Sequence, residues 1–196
     1  MITAIDKKAA LVLIDLQKGI VNTEKAHPVK TILNNAANLV AAFRKADLPI
    51  VVVNVNPMGA KWTKARADKP SVPQNSIVQS LAKVAMPVTG FTDIVPEIIT
   101  EANDIFITKK NWNAFFDTSL HAALEKKGIT LIVLAGISTS IGVEGTARAA
   151  SELGYNIAFA TDAITDREMS CHNHSIQHIF PRIGELGTTA EIIERL

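Results

Sequence analysis

The chain has a single cysteine, Cys171, among 196 residues, so no internal disulfide is available to it. That usage suits a reducing compartment. No apolar run approaches the length a bilayer requires, and the N-terminal MITAIDKKAALVLIDL has no small-residue cleavage site. The expected setting is therefore cytoplasmic, without a membrane. Charge of one sign is also lacking: Lys plus Arg is 20 against 19 for Asp plus Glu. Such a balance supplies no footprint for nucleic acid and points to a small-molecule partner.

What is present is a succession of short Val, Ile and Leu runs, each followed by a helical pattern. The runs fall at 9–16, 49–55, 104–109, 130–136 and 156–162. They are continuous rather than alternating, as in strands covered on both faces. The expectation is one α/β domain over residues 1–196, a three-layer α-β-α sandwich around a mainly parallel, Rossmann-like sheet. Between the first two runs, Ile32, Leu33, Ala36, Leu39, Val40 and Phe43 recur at helical spacing. Thr118 is a candidate N-cap, Gly128 and Gly154 are candidate C-terminal caps, and Thr188 with Glu191 fits a capping box. Residues 56–80 form a long polar excursion of the kind that serves as a lid, a binding element or an oligomer contact. The segment REMSCHNHSIQHIFPRIGELG reads as a helix, a turn at Pro181 and a short edge strand.

In an open parallel sheet ligands bind beyond the carboxyl ends of the strands. The polar residues there are Asp15, Asn54, Asn56, Lys109, the Ser138 to Gly142 turn and Asp162. A carboxylate at the mouth of a buried strand is partly desolvated, which suits Asp15 to general acid or base work; its bland alternative is a cap or a cation partner. Lys109 could stabilise developing negative charge, or be a solvated strand-end lysine. Trp112, Phe115 and Phe116 either wall a pocket or belong to the core.

The segments LVLIDLQKGI, ITKKNWNAFFDTSL and GISTSIGVEGTARAASELGYNIAFATDAITD resemble the isochorismatase-like, or cysteine hydrolase, superfamily in order and spacing from about residue 9 to 190. Amide-hydrolysing members carry an Asp, a Lys and a nucleophilic Cys. The resemblance places the Asp on Asp15, the Lys on Lys109 and the Cys position on Gly142. The chain thus resembles a subgroup with Gly in place of that Cys. The resemblance also implies a non-proline cis peptide at Ile137–Ser138 and surviving backbone N–H donors in the turn. Substrate contacts are expected from Gln17, Trp112, Phe115, Ser138, Thr139 and Ile141, with Lys61, Lys64 and Arg66 as possible anion contacts. A homodimer or homotetramer is expected, with Trp62 in the contact.

Cys171 lies in a different segment and reads as a packed or partly exposed structural thiol. His174 and His178 share a helical face, but the segment lacks a zincin Glu and a third ligand. The stretch after the second strand, NVNP, lacks the Asp and His of metal-dependent nicotinamidases. No metal and no organic cofactor are expected. Three functions fit: a hydrolase working by Asp/Lys acid–base chemistry, on a vinyl ether for example; a non-catalytic binding or assembly module; or an amidohydrolase whose nucleophile is Ser138, Thr139 or Ser140.

Overall fold

Six strands form one sheet in the order β3-β2-β1-β4-β5-β6, with every neighbouring pair parallel. They are β1 Ala9–Ile14, β2 Ile50–Val55, β3 Ile105–Lys109, β4 Leu131–Ile137, β5 Asn156–Thr165 and β6 Glu185–Gly187. This architecture comes from a computed structural model, which describes residues 2–58, 60 and 90–196. Most of the 56–80 excursion, including Lys61, Trp62, Lys64 and Arg66, lies outside the described residues.

The continuous apolar runs follow from burial on both faces. Along β1, Ala9, Leu11 and Leu13 enter one core, while Ala10, Val12 and Ile14 enter the other. Helix α1 (Lys18–Val21) follows β1, and α2 (Val29–Lys45) covers the first face with the six residues Ile32, Leu33, Ala36, Leu39, Val40 and Phe43. The opposite face is covered by α3 (Leu120–Lys126) and α4 (Glu144–Glu152), through Leu120, Leu124, Ala147 and Ala150. Helices α5 (Met169–His174) and α6 (Thr189–Ile193) flank β6 in sequence. The capping box of Thr188 and Glu191 starts α6, and Gly128 and Gly154 take positive φ after α3 and α4.

Two details differ from the sequence reading. Ser119, not Thr118, occupies the N-cap of α3, although the Thr118 hydroxyl still accepts from the Leu120 amide at 3.2 Å. More consequentially, β5 continues past Asp162 to Thr165, because the β4–β5 register shifts: β5 advances from Phe159 to Ile164 while β4 advances from Leu134 to Gly136. Asp162 is thus internal to the strand, and its carboxylate accepts from the amide and hydroxyl of Thr189 at 2.7 and 2.8 Å. It holds the start of α6 rather than a ligand. At Gly136, with φ 123°, a side chain would collide with the Ile14 carbonyl, so glycine lets β4 close on β1.

Candidate active site

Strand order reverses between β1 and β4, and ligand crevices form at that switch. Asp15 follows β1 in a left-handed conformation, φ 51°, which Asp tolerates better than most residues. Lys109, the last residue of β3, reaches back across β2 so that its Nζ donates to Asp15 Oδ2 at 2.7 Å and to the Asn111 carbonyl at 3.1 Å. Both side chains are buried, Asp15 at 5 % and Lys109 at 2 % exposure. Burial raises the Asp15 carboxyl above the ordinary carboxylate range, and the Lys109 ammonium opposes that shift only in part. The second oxygen, Oδ1, is buried and has no hydrogen-bond partner among the described residues.

Above the pair lies the turn after β4. The Ile137–Ser138 peptide is cis, and Thr139–Val143 form one π-helical turn leading into α4. Gly142 is buried, and its open side faces the pair: a Cβ there would stand 2.8 Å from Ile14 Cγ2, 3.2 Å from Asp15 Oδ2 and 3.6 Å from Lys109 Nζ. The space a side chain would need is already filled by β1.

The turn offers fewer backbone donors than the sequence suggests. The Ser140 amide donates to Asp166 Oδ2 at 2.7 Å, and the Ile141 and Val143 amides donate to the Ser138 carbonyl at 3.2 and 3.1 Å. Those three are committed within the fold. Hydroxyls are engaged as well: Ser140 Oγ donates to Asp166 Oδ2 at 2.8 Å, and Thr139 Oγ1 pairs with His172 Nδ1 at 2.9 Å. His172 is buried against the ring of His27, centroids 4.6 Å apart; burial and that neighbour lower its pKa, Asp166 opposing. The imidazole beside Thr139 is thereby biased toward its neutral form.

A cavity of about 40 Å³ opens over the pair, lined by Asp15, Lys109, Asn111, Trp112, Ser138, Ile141 and Gly142 together with Ile20, Val55 and Ile137. A water needs about 10–15 Å³ on this measure, so the room is for a few non-hydrogen atoms.

The isochorismatase domain model matches residues 9–191. The chain belongs to the isochorismatase family. It is 41% identical over 97% of its length to the uncharacterized isochorismatase family protein YwoC of Bacillus subtilis, covering 95% of that protein. Identity to the uncharacterized isochorismatase family protein YecD of Escherichia coli O157:H7 is 39%, over 97% of each chain. Among solved structures, an isochorismatase family protein from Burkholderia thailandensis superposes with a TM-score of 0.84 at 33% identity, over 100% of this chain and 99% of that one.

Within this isochorismatase-family fold, six of the expected site residues come together: Asp15, Lys109, Gly142, Trp112, Ser138 and Ile141. Three do not. Gln17 is wholly buried; its amide donates to the Val55 and Phe91 carbonyls at 3.0 Å each and accepts from the Val55 amide at 2.7 Å. It ties the end of β2 to the chain after β1 and does not line the cavity. Thr139 is turned away toward His172, and Phe115 stacks on Tyr155 with centroids 5.8 Å apart. Asn54 and Asn56 also serve the backbone, donating to Thr92 and accepting from Met58 respectively. Cys171, expected as packed or partly exposed, is exposed, and no group of three His, Cys, Asp or Glu side chains able to hold a metal occurs among the described residues. No helix of the described residues is long and apolar enough to cross a membrane.

Asn111 and Asp166 were not singled out by the sequence. Asn111 sits two positions past Lys109, a spacing that could have flagged it. Asp166 follows the register shift of β5, which no sequence pattern announces.

Proposed function

We propose that the protein hydrolyses a small molecule at an acid-labile carbon–oxygen bond, with a vinyl ether as the best fit, through Asp15 and Lys109 and without a covalent enzyme intermediate. The observation that carries this reading is the buried Asp15–Lys109 pair, 2.7 Å apart, facing a backbone position where no side chain stands and a Cβ has no room. An attacking thiolate or alkoxide has no place at that position. A proton donor does, because Lys109 occupies Asp15 Oδ2 and leaves Oδ1 as the oxygen that carries the proton into the cavity.

The steps balance with one water and no metal or organic cofactor. Asp15 Oδ1–H protonates the terminal vinyl carbon; the C=C electron pair forms the new C–H bond, and the ether oxygen shares its lone pair to give an oxocarbenium ion. Lys109 stabilises the carboxylate left behind. Water adds to the cationic carbon, its proton passes to Asp15 Oδ1, and the hemiketal separates into ketone and alcohol. Positioned proton transfer of this kind contributes about 10²–10⁴-fold. Amide hydrolysis is less well supported, since three turn amides are committed within the fold and, of Ser138, Thr139 and Ser140, only Ser138 is among the residues lining the cavity. The reading places the protein in the cytoplasm as a homodimer or homotetramer. Exposed Trp112 and Phe116, at 48% and 59%, offer apolar surface for such a contact.

The test is hydrolysis of a set of small vinyl ethers, uncharged ones and the carboxylate-bearing isochorismate alike, followed by release of the carbonyl product. Asp15→Asn keeps a residue that accepts φ near 50° but removes the acid, and turnover should fall at least about 10²-fold with the fold intact. Activity unchanged in Asp15→Asn, or silence of the unaltered protein toward every vinyl ether, would contradict the assignment and favour a binding module.

A further inference from the structure

Two residues that line the cavity each have a buried side-chain oxygen with no hydrogen-bond partner among the described residues: Asp15 Oδ1 and Asn111 Oδ1. The first becomes a donor when it carries the proton, and in the proposed mechanism the substrate's vinyl carbon takes that proton. The second has no such option. A primary amide oxygen accepts only, and an acceptor withdrawn from water without a donor is destabilised until a ligand supplies one. The Asn111 backbone is meanwhile held in place, its carbonyl accepting from Lys109 Nζ at 3.1 Å, so its side chain projects from a point fixed relative to the acid.

Charge narrows the partner further. Among the described residues lining the cavity, Lys109 is the one cation, and it is already engaged by Asp15 Oδ2. The other walls are Ile20, Val55, Ile137, Ile141 and Trp112, with Ser138 and Gly142 from the turn. A carboxylate placed here would have to share Lys109 with Asp15, with no second cation among the described lining residues to balance it. We propose that Asn111 is a specificity-determining residue whose Oδ1 accepts a hydrogen bond from a hydroxyl or amide N–H of the substrate, so that the cavity over Asp15 takes an uncharged, donor-bearing end of the molecule. This rests on the preceding reading only in taking the cavity as the substrate site, and it deepens that reading by selecting among substrates.

The experiment measures binding without turnover, so its failure is separate from failure of the acid–base mechanism, which Asp15→Asn kinetics report. Acetamide, acetone and acetate have the same number of non-hydrogen atoms and differ in offering a donor, neither donor nor charge, or an anion. Each is titrated into the ¹⁵N-labelled full chain to about 0.5 M, since ligands this small bind weakly. Acetamide should shift the amides of Asn111, Trp112 and Gly142 and bind about tenfold more tightly than either isostere. Asn111→Leu should erase that preference, while Asn111→Asp, which keeps an acceptor at the same place, should retain it and reject acetate further. Equal binding of the three probes, tighter binding of acetone or acetate, absence of acetamide shifts at those amides, or a preference that persists in Asn111→Leu would overturn the proposal.

Discussion

Replacing Gly142 by Ala adds one methyl group at the point where the turn meets the ion pair. That carbon would sit 2.8 Å from Ile14 Cγ2 and 3.2 Å from Asp15 Oδ2. Carbon–carbon contacts settle at about 3.5–4.0 Å, so β1 or the turn must move by roughly 0.7–1.2 Å. Overpacking of this sort costs about 1–3 kcal/mol, and the gain in backbone entropy on replacing glycine returns about 0.5–1, for a net destabilisation of about 0–2.5 kcal/mol. Function should suffer more than stability, because a misplacement of about 1 Å at a reacting group costs on the order of 10²-fold. Urea unfolding and kcat/KM for vinyl ether hydrolysis read the two effects. A cycle with Ile14→Ala, which deletes the colliding methyl, should show the pair less destabilised than the sum by about 1 kcal/mol. Unaltered stability together with unaltered turnover in Gly142→Ala would refute the claim that this position is closed to side chains.

Gln17→Leu should destabilise the fold by about 3 kcal/mol, through the backbone groups of Val55 and Phe91 left unpaired, in a denaturation titration. Lys109→Met leaves the Asp15 carboxylate buried without its cation and should cost about 3–5 kcal/mol at neutral pH. The sign with pH follows from the raised Asp15 pKa: folding binds the proton more tightly than the unfolded chain does, so the stability contribution is full below the ordinary carboxylate value and is lost as pH rises through the elevated one. Unfolding midpoints of Lys109→Met should therefore recover on acidification from pH 7 more than those of the unaltered protein. Lys25, held by the Ile20 and Thr23 carbonyls and lowered to about 8 by burial and by Arg167, should titrate near that value when its methylated amine is followed by NMR.

The sheet and its helices were legible because burial on both faces leaves a continuous trace. Ala9 through Ile14 send alternate side chains into two cores, and the α2 stripe of Ile32 to Phe43 recurs unchanged in the structure. Asp15 was legible as a charge that closes a buried strand, whereas Lys109 was singled out only by its place in the motif that resembles the family's. Polarity alone did not separate Gln17 from the site, since a buried amide satisfied by backbone and an amide awaiting substrate look the same in sequence. The commitment of the Ser140 amide depends on Asp166, which reaches the turn only because β5 runs on past its register shift. Neither partner is adjacent in the chain, so the commitment of that amide could be seen only in three dimensions.

The dependence of kcat/KM on pH for vinyl ether hydrolysis tests the central claim most directly. An acid formed by a buried Asp15 requires a plateau at low pH and a fall as pH rises through one ionisation above the ordinary carboxylate value, with that limb absent from the residual rate of Asp15→Asn. A profile that instead climbs with pH through the neutral range, in both proteins alike, would mean that the reaction uses a deprotonated nucleophile elsewhere and that Asp15 is not the acid.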